Sequence, residues 1–283
     1  MNIRELRYSS TNTYLIEGES GKLLFDTGWA GTFSMFCKAL GEMHVSVQEI
    51  SAIIISHFHP DHMGIAQEIA DQGAYLLIPE LQKPFLHTAD PIFEKEKGSS
   101  FIPIRDEKVR TFPLSDSRVI LKEFGLDGQI YHTPGHSDDS ISLWLDEGDL
   151  FVGDLNPLYE LELHKGTLIG ESWENLLMLR PKIVYYGHAK KAVLPENKDS
   201  SVAQGIGIKE VSQEAQLSLS DNEKYALVSQ MMKMINKGYD IKKIQKKTKA
   251  DEKFIENVMR MYLTHQDISV QGILDRIELR SIL

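Results

Sequence analysis

The sequence predicts a mixed α/β body followed by a small all-helical C-terminal domain. Three observations carry this. Buried-type strands alternate with stretches of helical period up to about residue 195. Apolar periodicity then fades over residues 198–213, where Ser, Gly, Gln and Lys dominate. Beyond that point every apolar pattern repeats at helical spacing. The boundaries read from this are 1–197 for the body, 198–213 for a linker and 214–283 for the helical domain.

The elements follow in order. "NTYLIEGESGKLLFDTG" reads as two strands joined by a Gly-containing turn. "FSMFCKALGEM" has helical spacing and carries Cys37, the only cysteine, read as a small core-facing residue. "SAIIIS" is a continuous β-branched run, as expected of a strand buried on both faces. "MGIAQEIADQG" returns to helical period and stops at Gly73. "AYLLIP" is another buried strand, and residues 82–108, with Pro84, Pro91 and Pro103, read as a surface excursion with some helix. "RVILKEF", "GQIYHTPG", "SISLWLDEGDLFVGD" and "PKIVYYGH" read as strands, with the helix-like "ESWENLLMLR" before the last. In the tail, "NEKYALVSQMMKMINKG", "DIKKIQKKT" and "DEKFIENVMRMYLTH" are helical, with Asp221 and Asp251 as N-caps and Gly238 as a stop. "ISVQGILDRIEL" adds a last short helix.

Bulk properties narrow the function. The 283 residues carry a net charge of −10, and 42% are hydrophobic, as in ordinary globular proteins. No apolar run approaches the roughly 18 residues of a membrane helix. The opening "MNIRELRYSS" lacks a signal-peptide core, so cytoplasmic residence and no membrane partner are expected. From Asp221 onward there are 12 Lys+Arg against 9 Asp+Glu, which leaves 19 against 32 in the body. An acidic body argues against a nucleic-acid grip there. A single cysteine rules out a thiolate cage, so any metal must be held by histidine and carboxylate.

One stretch concentrates such groups. In "SHFHPDHMG", His57, His59, Asp61 and His62 fall within six positions at the end of a buried strand. Side chains two apart on an extended chain point the same way, and Pro60 keeps His59 extended. Further partners follow the same grammar of apolar run, small turn residue and ligand. They are His136 in "HTPGHS", Asp154 in "LFVGDLN" and His188 in "IVYYGH". Imidazole and carboxylate at open turns suit zinc, with iron and manganese accepting similar sets.

"LLFDTG", "HFHPDH", "HTPGHS", "GDL" and "GH", in this order over roughly residues 1–195, resemble the metallo-β-lactamase fold superfamily. The resemblance implies an α+β fold, a four-layered αβ/βα sandwich with a two-metal site at one edge. It implies that His57, His59 and His136 hold one metal, that Asp61, His62 and His188 hold a second, and that Asp154 bridges them. Asp26 would support the site through hydrogen bonds without touching a metal. Two Zn2+ per chain are expected, Fe or Mn being compatible. Water between such metals would have its pKa drawn from 15.7 to about 7, with Asp61 as the catalytic residue that orients it and takes its proton.

The implied activity is hydrolysis of a small ester-like substrate, a thioester or lactone, as in the glyoxalase-II-like members. Two rivals stay open. Sulfur dioxygenases resemble the same motifs and use one iron, here through His57, His136 and Asp154. Alternatively, "DIKKIQKKTKADEKFIENVMRMYL" looks like a helix-turn-helix, which would make the body a sensor. Its second helix opens with Asp251 and Glu252, poor company for phosphates. Nucleic acid therefore has only the C-terminal helices to bind, and a packing or homodimer module fits them equally. His44, His87, His132, His164 and His265 are read as structural, with a place in a substrate pocket left open for His164. Tyr185, Tyr186 and Trp173 are read as core or pocket wall.

Overall fold

The computed structural model describes residues 1–95, 100–195 and 221–250, with 254, 255, 258, 259, 262 and 273. The chain divides into two compact units, Met1–Lys198 and Asp199–Leu283. The residues read as a linker, the Asp251 N-cap, His265 and most of the last two tail helices lie outside the described residues.

The first unit contains two sheets. One comprises β1 (Asn2–Leu6), β2 (Thr13–Glu17), β3 (Lys22–Phe25), β4 (Ile50–Ile54), β5 (Tyr75–Pro79) and β6 (Val109–Phe112), hydrogen-bonded in that order. The first three are antiparallel, whereas β3 through β6 run parallel. The second comprises β7 (Gly128–His132), β8 (Ile141–Leu145), β9 (Asp149–Phe151), β10 (Ile183–Tyr185) and β11 (Ala192–Val193), in the order β11-β10-β9-β8-β7.

Three cores stack these sheets into four layers. Between the sheets, Tyr14, Ile16, Phe25 and Ile54 of the first meet Ile130, Leu143, Phe151 and Tyr185 of the second. The outer face of the first sheet packs on α1 (Phe33–Glu42), the single turn α2 (Pro60–Met63), α3 (Ala66–Asp71) and α4 (Asp90–Lys95). That of the second packs on α6 (Leu168–Leu177), through Trp144, Leu150, Val184 and Trp173. This is the αβ/βα sandwich that the motifs imply. The mostly apolar strands β4 and β8 are covered on both faces.

One sequence reading is corrected. "RVILKEF" is not a strand: Ser117–Lys122 form α5. Ser117, Ile120, Leu121 and Phe124 are buried while Arg118, Val119, Lys122 and Glu123 are exposed. That is spacing i, i+3, i+4, i+7, a helical face, which the local Val-Ile-Leu run disguised. Strands β1, β6 and β11 were not anticipated; they are short and lie at or next to sheet edges.

In the second unit, α7 (Asp221–Ile235) starts at Asp221 and is followed by Gly238 at φ +71°. There α8 (Ile241–Thr248) is capped by Asp240, whose side chain accepts the Lys243 N–H at 2.7 Å. Val228, Met231, Ile244, Ile255, Val258 and Ile273 share a core within this unit. No helix among the described residues is long and apolar enough to cross a membrane.

The inter-sheet core centres on Phe151. It stacks on Tyr185 at 4.6 Å between centroids, and meets Tyr14 edge-on at 5.3 Å and Phe25 at 5.5 Å. Phe151→Ala is expected to cost about 3–5 kcal/mol, read from chemical denaturation. A loss below about 1 kcal/mol would mean that the sheets do not depend on this contact.

Candidate metal centre

The site lies where several strand ends of the two sheets meet. β4 ends at Ile54, the chain bends at Ser56 and His57, and it is extended again at His59, which stands at φ −77°, ψ 150°. Pro60 then opens α2, whose single turn carries Asp61 and His62. His136 follows β7, Asp154 follows β9 and His188 follows β10. At two of these turns a glycine is required. Gly135 sits at φ +137° and Gly153 at φ +55°, and a Cβ on Gly153 would lie 2.4 Å from the Ser56 hydroxyl.

The structure brings together all seven side chains read as ligands. His59 Nδ1 lies 2.9 Å from His57 Nε2 and 3.1 Å from His136 Nε2. On the other side, His188 Nε2 lies 2.9 Å from Asp61 Oδ2 and 3.3 Å from His62 Nε2. Asp154 stands between them, with Oδ2 3.6 Å from His136 Nε2 and Oδ1 3.2 Å from His62 Nε2 and 3.4 Å from His188 Nε2. Three overlapping groups have ligand atoms within 4.8 Å of one another: His57–His59–His136, His57–His62–Asp154 and Asp61–His62–His188.

Hydrogen bonds fix which nitrogen each ring offers. Asp26, at φ +61°, accepts the Ser56 backbone N–H at 2.6 Å and its hydroxyl at 2.8 Å. A carboxylate only accepts, so the Ser56 hydroxyl must donate to it and accept from His57 Nδ1–H at 3.0 Å. His62 Nδ1–H donates to Asp26 Oδ2 at 2.9 Å. His188 Nδ1–H donates to the Ser10 carbonyl at 3.0 Å. All three rings therefore turn Nε2 toward the cluster. One carboxylate, Asp26, orients a histidine of each half, His62 directly and His57 through Ser56.

Electrostatics fits a cation. Burial, reinforced by His62 and His136, pushes His57 well below the ordinary histidine range; burial likewise lowers His59. Both present uncharged lone pairs. Burial opposes charge on His62 and His188 too, but Asp154, Asp26 and Asp61 outweigh it for His62, and Asp154 and Asp61 for His188; both are raised. Burial would raise the two carboxyls, but His62 and His188 outweigh it. Asp61 falls to about 2 and Asp154 lies well below the usual carboxylate range. Asp154 Oδ1 is buried and makes no hydrogen bond among the described residues, despite its ionic distances to two rings. Inward lone pairs, two buried carboxylates and an orphaned oxygen form a donor set that suits one or two divalent cations.

The four described histidines read as structural stay out of the cluster. His44 and His87 are exposed, the latter between Asp90 and Asp106. His132 Nε2 contacts the Asp138 carbonyl. His164 sits 4.0 Å from buried Glu160, on the helical turn Leu158–His164 after Asp154. Tyr185, Tyr186 and Trp173 are buried. Sequence reasoning missed the supports. Ser56 is signalled by adjacency to His57. Ser10 and Thr11, whose hydroxyl donates to the Asp61 carbonyl at 2.7 Å, are far away in sequence and carry no motif.

The chain belongs to the metallo-beta-lactamase superfamily, whose family model matches residues 6–188. It is similar to the Beta-lactamase-like protein 2 homolog of Drosophila melanogaster, 27% identical over 205 residues, which cover 70% of this chain and 64% of the relative. It is also similar to an atrochrysone carboxyl ACP thioesterase of Aspergillus fumigatus, 27% identical over 269 residues, which cover 88% of this chain and 56% of the relative. The chain thus spans less than two thirds of the length of these curated relatives. Among solved structures, TTHA1623 in a di-iron-bound form and the BLEG-1 B3 metallo-beta-lactamase share the fold. Each has a TM-score of 0.51 over 68% of this chain and 94% of its own, at 24% and 21% identity respectively.

Gly187 packs against the cluster: a Cβ there would lie 2.7 Å from Asp154 Oδ1 and 2.8 Å from His62 Cε1. Gly187→Ala is expected to leave the circular dichroism unchanged while weakening metal uptake about 10- to 100-fold, the scale for disturbing ligand orientation. Wild-type uptake in this variant would contradict the packing account.

Proposed function

We propose that this chain is a metal-dependent hydrolase that cleaves a small ester-like substrate, a thioester or a lactone, at a dinuclear centre. The observation that carries the reading is the buried Asp154 carboxylate, one oxygen facing His136 and the other facing His62 and His188, between two sets of ring nitrogens. In this reading His57, His59 and His136 hold one cation, Asp61, His62 and His188 hold the other, and Asp154 touches both. Zinc fits the nitrogen-rich set best; iron and manganese tolerate it. A bound pair of cations supplies Lewis acidity and lowers the pKa of water to about 7.

The chain's own groups do the rest. Asp61, ionised at neutral pH and held by His188 at 2.9 Å, is placed to orient the attacking water and accept its proton. Asp26 and Ser56 keep His57 and His62 in the tautomer that leaves Nε2 free. The ester-like substrate class draws support from the thioesterase name of the fungal relative, whose alignment reaches across most of this chain. A net negative body favours a small-molecule substrate over a polyanion. The helical unit would then serve packing or dimerisation.

Metal analysis of the purified protein, followed by assay on thioesters, lactones and phosphodiesters, tests this. About two zinc ions per chain with thioester or lactone turnover is expected. One iron with oxygen uptake would replace this reading with the dioxygenase. His57→Ala and Asp154→Ala are each expected to lose bound metal and at least about 100-fold in turnover, whereas His164→Ala keeps its metal. Normal turnover in the first pair would break the assignment.

A further inference from the structure

Two loops must be held in register for the first half of the centre to exist. One is the stretch Ile55–His59 after β4, the other the stretch 133–140 between β7 and β8. They come from different sheets. The backbone joins the first stretch to the start of β8, just past the second, where the Ile141 N–H donates to the Ser56 carbonyl at 2.8 Å. Two side chains that belong to neither ligand set complete the join.

Asp139 is 3% exposed, and its Oδ2 accepts the Phe58 N–H at 2.7 Å, between the two histidines of the motif. Gln82 is fully buried, on the helical turn Glu80–Phe85 that follows β5. Its Nε2 faces three carbonyls, Ile55 at 3.0 Å, Ser56 at 3.3 Å and Asp139 at 2.9 Å. Turning the amide over would set its oxygen against three carbonyl oxygens, so the donor must point this way. The Gln82 oxygen is left buried without a hydrogen-bond partner among the described residues. Such an oxygen is costly, and an apolar side chain of the same size would avoid it. The amide group is therefore explained by what its N–H bonds hold together.

We propose that Gln82 and Asp139 are positioning residues, a clamp that sets the distance between the His57/His59 loop and the His136 loop without touching a cation. The proposal rests on reading the cluster as a metal centre. The other half is held separately: Thr11 bonds the Asp61 carbonyl, His188 bonds the Ser10 carbonyl, and Asn12 donates to the carbonyls of Tyr186 and Ala189. Because Asp26 and Ser56 also tie His57 to His62, loss of the clamp should act most on the first half and less on the other.

The test titrates Co2+ into the metal-free full-length chain, following its visible absorption bands, which report coordination geometry. His136→Ala marks which binding event belongs to the first half. Gln82→Met removes both the bonding N–H and the orphaned oxygen. It is expected to fold, with a melting temperature somewhat below wild type because the Ile55 and Asp139 carbonyls lose their donor. Its first-half affinity should fall about 10- to 100-fold with an altered band, the other event changing much less. Asp139→Leu should behave alike, and Asp139→Asn, which keeps an oxygen for the Phe58 N–H, should restore the wild-type band. If Gln82→Met does not fold, the Asp139→Leu and Asp139→Asn pair decides on the same readout. Wild-type affinity and band in Gln82→Met or Asp139→Leu would overturn the clamp. A wild-type chain that binds no Co2+ would instead overturn the metal reading beneath it.

Discussion

Seven ionisable side chains taken out of water at one edge of a sandwich are tolerable only if their charges are balanced in place. That constraint governs the rest of the structure. Two carboxylates, Asp61 and Asp154, lie among five imidazoles, and the shifts run in opposite directions by position. His57 and His59, further from carboxylate, are driven neutral. His62 and His188, beside it, are drawn toward the proton-bearing form. In the proposed metal site, a divalent cation would take the place of the positive charge that His62 and His188 otherwise carry beside the carboxylates.

The fold delivers this balance by topology. Four ligand-type side chains ride on one crossing from β4 into α2, and three more follow β7, β9 and β10. Since each of these strands is hydrogen-bonded in a sheet and packs at least one face on the core, each turn is fixed at its base. The remaining freedom is removed locally. Asp26 ties Ser56 to His62, the Ser10–Asn12 loop ties Asp61 to His188, and Gln82 with Asp139 ties the motif loop to the His136 loop. Gly153 and Gly187 give the space these contacts need, because a side chain on either would collide with Ser56 or with Asp154.

Much of this was legible in the sequence, for a physical reason. A ligand must have a particular chemistry, so His57, His59, Asp61, His62, His136, Asp154 and His188 stand out by type and by their place after apolar runs. The strands β4, β5 and β8 read directly, because extensive burial leaves them mostly apolar. The supports were not legible. Gln82 or Ser10 acts through one amide or one carbonyl, which any residue type disguises. The misreading of "RVILKEF" has a related cause. Its β-branched centre suggested a strand, and only the alternation of buried Ser117, Ile120, Leu121 and Phe124 reveals the helix. A seven-residue window is too short to separate the two periods unless small polar Ser117 is counted as core. In the tail, the Gly238 stop announced the end of α7, whereas the Asp240 cap of α8 was not anticipated.

Anomalous diffraction at the zinc edge from crystals of the zinc-loaded protein measures the central claim directly. The account expects two peaks. One should lie within about 2.0–2.2 Å of nitrogens from His57, His59 and His136, the other within the same reach of Asp61, His62 and His188, with Asp154 touching both. Peaks elsewhere, or a loaded protein whose zinc leaves Asp154 untouched, would contradict it.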